Sequence, residues 1–328
     1  MTGTMLVTGA TGVIGHELVQ QAAERGWEVV GCATTAAGGA IPWVMGVQPV
    51  PRELRRGWDV IVHLAGRPRV DMSPEQAQAA NVAPVLALAG VITPQTHLIH
   101  VSTAFATGLR GTVDSADLRD YRNSYEWSKA WCERVATERY APLSIVRPCL
   151  VIGRRSDGAV ARFCGLYEFV YGLGMGMVPA IAGLPEGLVD LVSVCDVADC
   201  ILRLAAQAPA RSTRVESLGR GAGALTVQMV TEQTFAAINQ FRVGKGLPAM
   251  ELPPFAGPLV RPGGRAAASV APARRVMEAM MEYLWMRDPL PVTWRVDPME
   301  ECLAQAVRWW AVRRPEMTLQ ITAPWERR

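Results

Sequence analysis

The chain has 328 residues, half of them hydrophobic and 19% charged, with a formal net charge of +3. That length exceeds a minimal single core and suits a large α/β domain carrying a smaller appendage, and the composition excludes disorder as the default. The small net charge and scattered arginines give no nucleic-acid footprint.

The seven cysteines, at 32, 132, 149, 164, 195, 200 and 302, form no CxxC pair and sit mostly in apolar runs. They read as reduced packing residues, with no metal site among them. The chain opens MTGTMLVTGATG, without a basic segment leading into a long apolar run, so the cytoplasm is the expected compartment.

Short β-type runs are predicted at 5–9 (MLVTG), 27–33 (WEVVGCA), 59–66 (DVIVHLAG), 96–103 (THLIHVST) and 143–153 (LSIVRPCLVIG). Between them lie helical patterns, IGHELVQQAAERG, SPEQAQAANVAPVLALAG and SYEWSKAWCERVATERY. Such alternation predicts a doubly wound parallel sheet with helices on both faces, and near-continuous apolar strands agree with burial on both sides. Ser73, Pro74 and Glu75 supply a cap, a first-turn proline and a favourable charge for the second helix.

The run at 163–184 is the most membrane-like, but Glu168 and its glycines make it a buried or substrate-facing helix and loop rather than a span. After about residue 206 the pattern loosens into glycine- and proline-rich stretches and a helical run, ARRVMEAMMEYLWM. The expected division is a nucleotide domain over 1–152 plus about 188–206, and a smaller, mainly C-terminal substrate region over about 153–187 and 207–328.

Gly9, Gly12 and Gly15 form GxxGxxG between the first strand and an amphipathic helix. Glycines there permit a tight turn and close approach of a pyrophosphate to the helix N-terminus, so the cofactor-binding candidates are Gly9, Thr11, Gly12, Val13, Ile14 and Gly15. The second strand is followed by TTAAGG, without an acid for the ribose hydroxyls. That favours NADP over NAD, with Thr34 and Thr35 as donors to the 2′-phosphate.

Tyr125 and Lys129 stand four residues apart, about one helical turn, and Lys129 and Lys245 are the only lysines among 33 basic residues. A cation one turn away stabilises phenolate, whose ordinary pKa is about 10, and brings it toward working pH. The strand before this helix ends in Ser102 and Thr103, hydroxyls expected above the same cofactor.

With TGATGVIG, HLAG, VSTAFATG, YxxxK and IVRP in this order over residues 4 to about 205, the sequence resembles the extended short-chain dehydrogenase/reductase superfamily. The resemblance implies a Rossmann-type fold, Tyr125 as proton donor or acceptor, and Lys129 holding the nicotinamide ribose. It further implies that Thr103 orients the substrate carbonyl, that Asn81 supports the active site from the neighbouring helix, and that Leu64, Ala65, Gly66, Ser102, Arg147 and Pro148 line the cofactor. His63 is expected to lend its backbone to the cofactor, its imidazole being structural.

The phrase LVDLVSVCDVADCIL at 188–202 looks like that of the acyl-reductase branch, the fatty acyl-CoA and carrier-protein thioester reductases, chiefly through Asp190, Leu191 and Val192. Asp196 and the two residues after it are shared with sugar-nucleotide epimerases and dehydratases. The implied reaction is reduction of a carbonyl: a thioester yields an aldehyde and a free thiol, a ketone or aldehyde an alcohol. Trp285, Met280 and Met281 are candidate walls of a lipophilic channel or plain core. The implied partners are acyl-CoA or acyl carrier protein thioesters, and relatives commonly pair as homodimers through the tyrosine-bearing helix. The rival readings are an epimerase or dehydratase that retains NAD through its cycle, and a catalytically silent NAD(P)-binding regulatory module.

Overall fold

The computed structural model describes residues 3–174, 181–210, 212–256 and 282–319. By its internal contacts the chain divides into two units, 1–149 with 194–218 and 292–294, and 150–193 with 219–291 and 295–328.

The first unit holds an eight-stranded sheet. In chain order the strands are β1 (Thr4–Thr8), β2 (Glu28–Ala33), β3 (Ile41–Pro42), β4 (Val60–His63), β5 (His97–Val101), β6 (Leu143–Pro148), β7 (Arg214–Gly219) and β8 (Trp294–Arg295). They lie side by side as β8-β7-β6-β5-β4-β1-β2-β3, and every pair from β3 through β7 is parallel. The order reverses between β1 and β4, and in open α/β sheets ligands bind at the carboxyl ends beside that point. Five predicted strand runs therefore fall in the sheet, while β7 was not predicted: its sequence, RVESLG, alternates too weakly to stand out.

Four helices cover the sheet: α1 (Val13–Glu24), α2 (Pro74–Ala77, continuing through a π turn at Gln78–Val82 into Ala83–Ala87), α3 (Ser124–Arg139) and α4 (Val194–Ala206). The α2 start is the predicted one. Ser73 accepts the Gln76 amide at 3.2 Å and the Gln76 side chain accepts the Ser73 amide at 3.0 Å, a reciprocal capping box. The core on the α2–α3 side joins Leu6, Ile61, Leu98 and Ile145 of the strands to Val82, Val85, Cys132 and Val135 of the helices, with Trp43 and Trp58 at its edge. Because side chains alternate along a strand, Thr8, His63 and His100 fall on this same face.

In the second unit Leu150–Ile152 pairs in parallel with Leu191–Ser193, and Leu188–Val189 runs antiparallel to Leu225–Thr226. Its long helices are Val227–Val243 and Glu300–Arg313, and Leu166–Gly174 forms a shorter one inside the apolar run. Among the described residues no helix is long and apolar enough to cross a membrane. By these contacts Leu150–Ile152 and 188–193 group with the second unit and 207–218 with the first. Most of ARRVMEAMMEYLWM, with Met280 and Met281, lies outside the described residues; Trp285 is half-buried in a helical turn at Glu282–Trp285.

Candidate active site

Gly9 turns the chain at the end of β1 with φ +70°, a conformation side chains disfavour. A Cβ there would stand 2.9 Å from the Ala65 nitrogen, so the turn lies directly on the residues leaving β4. At Gly15 a Cβ would fall 2.2 Å from the Gly9 carbonyl oxygen, which makes glycine the condition for α1 to pack against the turn. Gly12 caps α1 with no side chain, and the first turn of α1 carries no acid. The N-terminal amides around Thr11, Val13 and Ile14 are thus left to an anion, favoured there by the helix dipole.

Thr8 fastens this turn to β4. Its hydroxyl oxygen accepts the amides of Leu64 and Ala65 at 3.2 Å each and donates to His63 Nδ1 at 2.8 Å. A hydroxyl with two acceptor contacts has one proton to give, so the His63 ring proton sits on Nε2. The His63 ring stacks on that of His100, its register partner on β5, with centroids 5.5 Å apart. Both rings are buried, and among the described residues neither His63 Nε2 nor either His100 nitrogen has a hydrogen-bond partner. Burial, with the nearby Lys129 charge, pushes His63 down to about 3 and holds His100 well below the ordinary imidazole value. The stacking partner His100 gave no motif of its own in the sequence.

Lys129 projects from α3 toward the end of β5 and donates to the Val101 carbonyl at 2.7 Å. It is buried, and desolvation lowers its pKa, opposed by the negative side of Cys132 and Glu133. Thr103 follows Val101 by two residues, about 7 Å along an extended strand, and Tyr125 precedes Lys129 by about 6 Å of helix rise. Among the described residues the Thr103 hydroxyl makes only long contacts, donating to the Pro148 carbonyl at 3.5 Å and accepting from the Phe105 amide at 3.4 Å. Bonds at that limit are weak and easily exchanged for a better acceptor. Ser102 is buried, and among the described residues its hydroxyl oxygen has no hydrogen-bond partner.

Asn81 sits in the π turn of α2, a helix irregularity frequent at functional sites. Its side chain accepts the Arg67 amide at 2.7 Å and donates to Ser128 Oγ at 2.8 Å, and Ser128 in turn donates to the Tyr125 carbonyl at 2.8 Å. One amide thereby ties the loop after β4 to the helix that carries Tyr125. Ser128 was missed by sequence reading because nothing in the pattern shows that it faces Asn81.

Four residues expected at the cofactor have the following surroundings. The Arg147 guanidinium forks onto the Glu133 carboxylate, with contacts of 2.6, 2.9 and 3.2 Å, in a largely buried pair that clamps β6 to α3. Thr34 and Thr35 are exposed just past β2, and Gly66 is exposed beside Asn81. In the second unit the buried Asp190 carboxylate accepts the amides of Arg220 and Gly221 at 2.8 Å each. The aspartate that marked the acyl-reductase phrase thus organises a loop. Asp196 lies in the first turn of α4.

These features fit a dinucleotide: a turn that any Cβ would obstruct, an uncapped helix start, and buried polar groups at the strand ends. Residues 48–201 match the family model described as male sterility protein, an NAD-binding family. No curated protein sequence matches the chain. Among solved structures it is similar to the terminal R domain of the myxalamid PKS-NRPS biosynthetic pathway, at 18% identity and TM-score 0.65 over 98% of this chain and 92% of that one. It is similar also to UDP-glucose 4-epimerase from Bifidobacterium longum in complex with NAD+ and UDP, at 19% identity and TM-score 0.61 over 96% and 99%. RMD from Pseudomonas aeruginosa complexed with NADPH matches at 18% identity and TM-score 0.58 over 94% and 98%. Over residues 48–201 the chain is thus similar to the male sterility family, and its fold is that of these solved structures.

Proposed function

We propose that the protein is an NADP(H)-dependent reductase acting on a carbonyl group, that of an acyl thioester carried by coenzyme A or a carrier protein. The observation that carries the reading is the buried Lys129 ammonium, fixed on the Val101 carbonyl one helical turn from Tyr125, at the strand end that bears Thr103. The male sterility match over residues 48–201 supports an acyl substrate over a nucleotide sugar. The missing acid after β2 supports NADP.

When bound, the nicotinamide supplies the hydride. Gly9, Gly12 and Gly15 make room for the diphosphate, and the first amides of α1 hold it. Thr103 and Tyr125 donate hydrogen bonds to the substrate carbonyl oxygen and stabilise the charge that develops there. Tyr125 then gives its phenolic proton to that oxygen, and the Lys129 cation stabilises the phenolate left behind. Asn81, through Ser128, positions the first turn of α3 and does not touch the reacting atoms. A thioester so reduced expels its thiol and leaves an aldehyde.

The test supplies NADPH and, separately, NADH with a panel of acyl-CoA thioesters, following nicotinamide absorbance and free thiol together. Thiol release matched to cofactor oxidation is the expected result. Oxidation with ketones or aldehydes but never with thioesters removes the acyl assignment, and NAD retained through purification with no net oxidation indicates the epimerase or dehydratase reading. Tyr125→Phe is expected to abolish turnover with little change in cofactor Kd; equal loss of both counts against its role as proton donor.

A further inference from the structure

The loop that leaves β4, Leu64–Ala65–Gly66–Arg67, is held from two sides. Thr8 takes the Leu64 and Ala65 amides, and Asn81 takes the Arg67 amide at 2.7 Å. A Cβ on Gly66 would lie 2.9 Å from the Asn81 oxygen, so the loop is pressed onto α2 as closely as onto the glycine turn. Arg67 follows Ala65, which touches Gly9, by two residues, at most about 7 Å of chain. Its backbone is therefore fixed beside the diphosphate cradle while its side chain is exposed.

That side chain is also unspent. Arg69 is paired with Asp71 at 2.6 Å and Arg122 with Glu126 at 3.3 Å. Arg110 and Arg119 are held by Asp120 and Asp117. Arg67 makes no ion pair or side-chain hydrogen bond among the described residues. A bound NADP brings a diphosphate and a 2′-phosphate, yet neither the turn at 9–15 nor the segment at 34–40 contains a lysine or arginine. The amides and dipole of α1 meet part of that charge, and a guanidinium is the side chain suited to grip a phosphate with two parallel hydrogen bonds.

We infer that Arg67 is the site's phosphate-holding cation, a binding residue that grips a phosphate of the dinucleotide cofactor. The inference rests on the cofactor reading above. It is tested by binding alone: NADPH and NADH are titrated into wild type, Arg67→Gln and Arg67→Lys at low and high salt, following tryptophan fluorescence. The Arg67 backbone bond needs only an amide, so the variants keep the loop. Arg67→Gln is expected to raise cofactor Kd at least tenfold and flatten its salt dependence, with partial recovery in Arg67→Lys. Equal loss for both cofactors assigns the diphosphate; loss for NADPH alone assigns the 2′-phosphate. Values within twofold of wild type for both cofactors overturn the inference, as does an effect confined to the KM of acyl-CoA. Wild type that binds neither cofactor would instead remove the reading on which it rests.

Discussion

Acidification from pH 7 to pH 5 probes the stacked imidazoles of His63 and His100 directly. Both are buried and neutral, with His63 at about 3 and His100 well below the ordinary value of 6.5. In the unfolded chain each takes up a proton as the pH falls through 6.5, whereas in the folded chain neither does. The unfolded state then binds more protons, so stability is complete above 6.5 and is lost as the pH falls toward 3. For one such histidine the loss between pH 7 and pH 5 is about 2 kcal/mol, and for the pair about 4 kcal/mol. Urea unfolding followed by tryptophan fluorescence reads it, since Trp43 and Trp58 lie in the core of the same unit. His63→Asn keeps an acceptor near Nδ1 for the Thr8 hydroxyl and lowers stability at pH 7 through lost packing, but its loss on going to pH 5 should be smaller than that of wild type by about 2 kcal/mol. If wild type and His63→Asn lose stability equally over that range, His63 is not held neutral and the reasoning fails.

The remaining predictions concern the clamp and the turn. Arg147→Met leaves the Glu133 carboxylate buried without its partner, an expected cost of about 3–5 kcal/mol in denaturant unfolding; the double variant Arg147→Met/Glu133→Leu should recover much of it. A Cβ at Gly15 meets the Gly9 carbonyl at 2.2 Å, so Gly15→Ala should destabilise by about 1–3 kcal/mol and weaken NADPH binding in the same fluorescence titration. Asn81→Ala breaks the tie between the loop after β4 and α3, and should lower kcat for NADPH oxidation more than it raises the KM for thioester, because it misplaces Tyr125 without touching substrate.

Sequence by itself determined the alternation of strands and helices, the glycine turn, the cap at Ser73 and the spacing of Tyr125 and Lys129. These are local properties: a period of two or 3.6, a residue without a Cβ, a hydroxyl before a proline, a separation of one helical turn. Tertiary structure alone decided which side chains meet. The pairing of Arg147 with Glu133 exists only because β6 and α3 are brought together. Ser128 and Arg67 acquired their places from Asn81, 47 and 14 residues away in the chain. His100 gained meaning only beside His63, because parallel register aligns strands whose sequences carry no record of their neighbours. Contacts between distant segments depend on how strands are ordered and helices packed, and no short pattern encodes them.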